Sequence, residues 1–137
     1  MNVLVLIGRI IVGVYYLYNA LNHLVFAPGR LAEYAASKGV PLPMLAVIVT
    51  GLLLLIGGLS ILLGVYTRVG VLALVLFFLP VTFWMHDFWN VADEMQRMVQ
   101  MTQFVKNLAL MGSALMFLAI PEPWPYALKL GQSGSRG

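Results

Sequence analysis

One uncharged stretch, residues 39–67, constrains this chain more than any other feature of its sequence. It reads GVPLPMLAVIVTGLLLLIGGLSILLGVYT and exceeds the roughly 20 apolar residues that a helix needs to cross about 30 Å of hydrocarbon. Polar residues do not recur in it at the spacing of a helix that half-faces water. Backbone groups in lipid must satisfy one another, and a run without period-two alternation favours a helix over a barrel strand. The stretch therefore predicts a membrane-spanning helix.

The composition supports the same class of protein. The chain has 137 residues, of which 61% are hydrophobic and 9% are charged, and its mean hydropathy is +0.93. Soluble domains carry about 25% charged residues. The eight Lys and Arg residues are scattered, so we expect no nucleic-acid partner, although the net charge is +3. The chain has no cysteine, which excludes thiolate metal ligands and a cysteine nucleophile.

We expect an all-α fold, a transmembrane four-helix bundle that forms a single domain over residues 1–130. The predicted spans are residues 3–26, 44–66, 69–88 and 102–120. Between the first two, residues 30–38 have apolar positions at i, i+3 and i+4 and predict a short interfacial helix, with an ordered loop as the alternative. The small, polar residues 131–137 predict a disordered tail or a cloning remnant.

The N-terminal sequence and the span count lead to a predicted location. Arg9 lies inside the first apolar stretch and not before it, so we expect no cleavable signal and a retained first span. With four spans, both termini lie on the same side of the membrane as the turn at Arg68. The Lys and Arg residues of the two sides nearly balance. We predict an integral protein of a bacterial or archaeal cytoplasmic membrane, with both termini in the cytoplasm.

We predict that polar side chains of three spans converge on one membrane face. Because neighbouring helices alternate in direction, the ends of spans one and three meet the start of span four. The predicted pocket comprises Asn19, His23, His86, Asp87, Gln103, Lys106 and Asn107. Polar groups within a span are costly unless they are paired, which favours a functional site. The alternative is structural: interhelical hydrogen bonds, a snorkelling Lys106, and an Asp87–Lys106 salt bridge.

The residue types favour a quinone over a metal ion or haem. A quinone requires hydrogen-bond donors, a titratable group and an apolar aromatic cleft, which His23 or His86 with Asn19, Tyr18, Trp84 and Trp89 would supply. No HxxxH or ExxH spacing supports a metal site. We assign cofactor binding to His23, His86, Asn19, Trp89, Lys106 and Asn107, and we assign no catalytic residue. Arg9, Arg68 and Asp87 are interpreted as structural polar residues, with Arg9 near the carbonyl end of span two or the turn after it.

The sequence resembles the DoxX family of small four-helix membrane proteins. The resemblance rests on GRIIVGVYYLYNALNHL, AEYAASKGVPLP, GLLLLIGGLSILLGVYTRVGVLAL, HDFWN and QFVKNLALMGSALM. The positions that match the family pattern are Arg9, His23, Lys38 to Pro41, Gly57, Gly58, Arg68, His86, Trp89, Lys106 and Asn107. Many relatives have a glutamate just before the Gly-Gly pair, where this chain has the apolar residues 52–56. A proton or ion role for that acid is therefore not expected here.

The resemblance implies a function near membrane redox enzymes. The family is named after a subunit of a thiosulfate:quinone oxidoreductase or terminal quinol oxidase system. Our first hypothesis is an integral membrane subunit that supports quinone-linked redox chemistry and, if it is catalytic, belongs to a quinone-dependent oxidoreductase. The alternative is a structural or assembly subunit. The expected partners are the lipid bilayer and other membrane or redox subunits or a second copy. A carrier or channel is disfavoured because polar residues cluster at the ends of the spans.

Overall fold

Helices account for most of the described residues. The computed structural model describes residues 2–129, and no strand occurs within that range. The helices are α1 (Asn2–Leu21), α2 (Pro28–Ser37), α3 (Pro43–Leu63), α4 (Thr67–Met85) and α5 (Glu94–Phe117). A π-helical segment, Asn22–Phe26, extends α1, and a 3₁₀ turn, Phe88–Asn90, follows α4. The all-α prediction is confirmed, and the predicted tail at residues 131–137 lies outside the described residues.

Three of the four long helices are long and apolar enough to cross a membrane. They are Asn2–Phe26, Pro43–Leu63 and Thr67–Asn90, with mean hydropathies of 1.7, 2.6 and 2.1. The fourth long helix, α5, has 24 residues and is about 36 Å long at 1.5 Å per residue. Its hydropathy is lowered by polar residues, including Gln103, Lys106 and Asn107. The fourth span remains a prediction.

The short helix predicted between spans one and two is confirmed as α2. It begins at Pro28, because proline is tolerated in the first turn, where its missing N–H would have no helical partner. The last long helix, α5, begins at Glu94, well before the predicted start of span four at residue 102. Asp93 caps it by accepting a hydrogen bond of 2.9 Å from the Gln96 amide.

The central element of the bundle is α3. It packs against α1, α2 and α4, and α4 packs in turn against α5, whereas α1 and α5 do not pack closely along their lengths. Fully buried side chains such as Tyr16, Leu54 and Phe78 form the core between them. The outward faces are rich in Leu, Ile and Val, as a helix in contact with lipid requires.

The connection between α3 and α4 is a tight turn over residues 64–66. Gly64 and Tyr66 both have positive φ, at 72° and 48°. A Cβ at position 64 would also lie 2.6 Å from Arg9 Nη2, so glycine is needed there for two reasons. We expected Thr67 and Arg68 to form this turn. Instead Thr67 is the buried first residue of α4 and Arg68 is exposed.

Candidate functional site

A cavity of about 370 Å³ lies where α1 ends and α5 begins. Its walls come from α1 and its π-helical extension, α2, α3, α4 and α5. Most of the lining is apolar, including Leu31, Val47, Leu54, Phe77, Phe78, Val81 and Trp84. A concave, mostly apolar space of this volume with a few polar groups is typical of small-molecule sites.

His23 is placed in this cavity by the π-helical segment. The wider turn is closed by the hydrogen bond of 3.0 Å from the Ala27 amide to the Asn22 carbonyl, and such turns are frequent at functional sites. His23 Nδ1 lies 3.2 Å from the Val47 carbonyl oxygen and 3.1 Å from Thr50 Oγ1. The imidazole is thus fixed against α3.

A glycine on α3 makes this position of His23 sterically possible. A Cβ at position 51 would lie 2.7 Å from His23 Cβ and 2.9 Å from the Leu24 side chain. On its other side the imidazole contacts Phe77 edge-on, with ring centroids 5.9 Å apart. Gly51 therefore lets α1 and its extension approach α3 closely at the cavity wall.

His86 reaches the same cavity from the end of α4. It is the residue that caps this helix at its C-terminus, and its Nδ1 lies 2.8 Å from Gln100 Oε1 on α5. The charged groups that act electrostatically on His86 are Lys106, Lys38 and Asp87. The two imidazoles therefore line one cavity, held by different neighbouring helices.

Donor-rich side chains complete the polar part of the wall. Lys106 Nζ donates to Gln103 Oε1 at 2.6 Å and lies 5.9 Å from the centre of the Tyr15 ring on α1. Asn19 donates to the Tyr15 carbonyl at 2.9 Å. Asn107 is only 5% exposed and also lines the cavity. Among the described residues, no Asp or Glu lines this cavity, and Lys106 is the only permanently charged residue of those in its wall.

The short helix α2 covers the cavity through three contacts with α4 and the residues after it, which we call the cap contacts. Tyr34 donates to the Met85 carbonyl at 2.8 Å, and Trp84 Nε1 donates to the Lys38 carbonyl at 2.8 Å. The third is a salt bridge of 2.7 Å between Lys38 and Asp87. The structure thus pairs Asp87 with Lys38 and not, as the structural alternative has it, with Lys106.

The structure brings together most of the residues that the sequence indicates, but not all. Asn19, His23, Trp84, His86, Gln103, Lys106 and Asn107 line the cavity. Trp89 does not. It is 53% exposed and packs against Phe88 and Phe104. Tyr18 is 59% exposed on the outside of α1, and Asp87 belongs to the cap contacts.

Three features of the site were not predicted from the sequence. Tyr34 lies on the apolar face predicted for the interfacial helix, a signal that indicates burial but not a role in a cavity. Gly51 is a glycine within an apolar span, a pattern that is compatible with close helix packing and does not by itself indicate a cavity wall. The π-helical turn that carries His23 leaves no recognisable pattern, because it depends on the packing of α1 against α3. The residues described here contain no group of three or more His, Cys, Asp or Glu side chains placed to hold a metal ion.

The helices and the cavity define the chain as a polytopic α-helical membrane protein with a mainly apolar cavity at one end of its bundle. The sequence profile of the DoxX family matches residues 4–87. The chain belongs to the DoxX family, and it is an integral protein of the cytoplasmic membrane. It is similar to inner membrane protein YphA of Escherichia coli strain K12, with 29% identity over 126 residues, 92% of this chain and 88% of the relative. No solved structure matches the chain.

Proposed function

We propose that this protein is a membrane subunit that binds a lipid-soluble quinone in the cavity and so supports quinone-linked redox chemistry. The observation that carries the proposal is the cavity itself, about 370 Å³ of mainly apolar space with two imidazoles and one lysine in its wall. A cluster of polar groups at the depth of a membrane span is costly, and binding a ligand is the usual reason for it.

The lining matches the chemistry of a quinone head group. Its two carbonyl oxygens accept hydrogen bonds, and Lys106, Asn107 and Asn19 carry donors. The aromatic side chains Phe77 and Phe78 offer flat apolar surface to the ring. When bound, a quinone takes up two electrons and two protons and becomes a hydroquinone. His23 and His86 are the side chains suited to exchange protons near neutral pH.

The loose packing of α1 against α5 suits the long apolar tail of such a ligand. The two helices meet through side chains, with Tyr16 Oη 3.5 Å from the Leu110 carbonyl oxygen and Lys106 above the Tyr15 ring. A tail that leaves the cavity between them passes into lipid without crossing an aqueous phase. We further propose, from the family resemblance, that a redox enzyme of the same membrane is the partner that supplies or accepts the electrons.

Equilibrium binding to the purified protein tests this proposal. In mild detergent, ubiquinone-1 should bind to the wild type, as followed by isothermal titration calorimetry. His86→Ala and Lys106→Gln should each weaken binding about tenfold, because each removes a polar contact worth about 1.4 kcal/mol. Tyr18→Phe and Trp89→Phe are the matched controls outside the cavity, and both should bind as the wild type does.

Mass spectrometry of an organic extract provides a second measurement. We expect native quinone to co-purify with the wild type and with both controls, and to be depleted in the two cavity variants. A folded wild-type protein that neither retains native quinone nor binds ubiquinone-1 would refute the proposal. The structural or assembly subunit would then be the better interpretation.

A further inference from the structure

The hydrogen bonding of His23 indicates which redox form of the ligand the cavity prefers. We infer that the cavity binds the hydroquinone more tightly than the quinone, with His23 Nε2 as the acceptor of a ligand hydroxyl. This inference rests on the proposed function, and it adds a specificity-determining residue to it.

The contacts of His23 indicate the tautomer in which Nδ1 carries the proton. A backbone carbonyl accepts hydrogen bonds and cannot donate them, so the contact of 3.2 Å with the Val47 oxygen requires a proton on Nδ1. Thr50 donates its own hydroxyl hydrogen to main-chain carbonyls of α3, and therefore it too accepts from Nδ1. In the neutral ring this leaves Nε2 with a lone pair. Nε2 has no partner within residues 2–129.

The hydroquinone and the quinone differ in what they can offer to His23 Nε2. A hydroquinone has two O–H groups and can donate to a lone pair, whereas both oxygens of a quinone only accept. A quinone oxygen at Nε2 would leave two acceptors facing each other, and unsatisfied buried polar groups are costly. The neutral His23 therefore discriminates in favour of the reduced form.

The charges around the cavity also bear on which form of the ligand is preferred. Lys38 is neutralised by Asp87 at 2.7 Å and belongs to the cap contacts. Lys106 is exposed, donates to the neutral Gln103 and lies over the face of Tyr15, and no carboxylate of residues 2–129 lines the cavity. An uncompensated ammonium stabilises the negative charge that builds on a phenolic oxygen as its proton is shared with Nε2. Both features favour a ligand with an acidic hydroxyl.

The test compares two forms of one probe. Ubiquinone-1 and its dithionite-reduced form are titrated anaerobically into the wild-type protein in mild detergent, and we expect the reduced form to bind about tenfold more tightly. A tenfold preference raises the midpoint potential of the bound two-electron couple by about 30 mV, which a redox titration of the loaded protein measures independently. The 1,4-dimethyl ether of the same head group has no hydroxyl, so it should bind no better than the quinone.

The matched variant is His23→Phe, which keeps an aromatic ring against Phe77 but has no acceptor nitrogen. It should lose the preference for the reduced form, so the ratio of its affinities for reduced and oxidised ubiquinone-1 should fall to about one. If this variant does not fold, the wild-type affinity ratio and the dimethyl ether decide the question.

The possible results distinguish the preference for the hydroquinone from the proposed quinone site itself. Equal affinity for the two forms, tighter binding of the quinone, or an unchanged ratio in a folded His23→Phe would overturn the inference and leave the quinone site standing. Failure of both forms to bind would overturn the inference and the proposed function together.

Discussion

Arg9 is the largest side chain that is completely buried within residues 2–129. Its Nε and Nη2 each donate at 3.0 Å, to the carbonyls of Ile61 and Leu62, and its Nη1 donates to the Pro125 carbonyl. The first two carbonyls belong to the last turn of α3, where no helical partner remains for them. The guanidinium thus joins α1, the end of α3 and the returning C-terminal segment, and its fork of donors suits three acceptors at once.

Substitution of this arginine by lysine tests the role. Arg9→Lys keeps the positive charge but cannot donate in three fixed directions, so buried carbonyls lose partners. We expect a loss of about 3 kcal/mol in the free energy of unfolding, measured by thermal or chemical unfolding in detergent. Arg68→Lys is the matched control, because Arg68 is exposed. Equal stability of the two variants would contradict the structural role of Arg9.

At the scale of elements, α2 is the shortest of the α-helices and covers the cavity. Only two of its residues, Ala32 and Ala35, are buried; it packs against α3 and the π-helical segment, and the cap contacts join it to α4. Its outward face carries Arg30 and Glu33, both exposed. An element with this little buried surface opens at a lower free energy than the bundle core does. We therefore interpret α2 as the part of the cavity wall that opens most readily.

Lys38→Gln should loosen α2 without unfolding the bundle. It removes the 2.7 Å salt bridge to Asp87, and a partly exposed pair of this kind contributes about 1 kcal/mol. Hydrogen exchange of the α2 amides, followed by mass spectrometry, should accelerate roughly fivefold, while exchange in α3 stays unchanged. Arg30→Gln, on the same helix, is the control and should exchange like the wild type. Uniform acceleration across all helices would show that the salt bridge supports the whole fold instead.

At the scale of the whole molecule, polar groups lie at the two ends of the bundle and apolar groups lie between them. Arg9 and the 64–66 turn mark one end, and the cavity with α2 marks the other. Across the middle, α3 joins α1 to α4, and α5 attaches through α4. The predicted fourth span would place α5 across the membrane beside α4, although its polar residues lower its hydropathy.

Single cysteines measure this topology directly, because the chain has none of its own. With four spans, Asn2→Cys, Arg68→Cys and Tyr126→Cys should react with a membrane-impermeant maleimide from one side of the membrane. Glu33→Cys and Ala92→Cys should react from the other side. The cysteine-free wild type is the control for background labelling. Reaction of position 126 from the same side as position 92 would reduce the number of spans to three.

The sequence by itself determined that the chain lies in lipid and that it is helical. It also determined the end of the bundle at which the polar residues gather. Lipid imposes helices on long apolar segments, and alternating helix direction brings His23 and His86 to one face whatever the details of packing. Local apolar spacing was also sufficient to predict α2.

Only the tertiary structure decided which aromatic residues enter the cavity and how its polar groups are paired. Trp84 lines the cavity and Trp89 does not, because the chain leaves the helix after Met85 and turns Trp89 onto Phe88 and Phe104. Asp87 forms its salt bridge with Lys38 and not with Lys106. These outcomes depend on distances between residues far apart in the chain, and local sequence patterns carry no record of such distances.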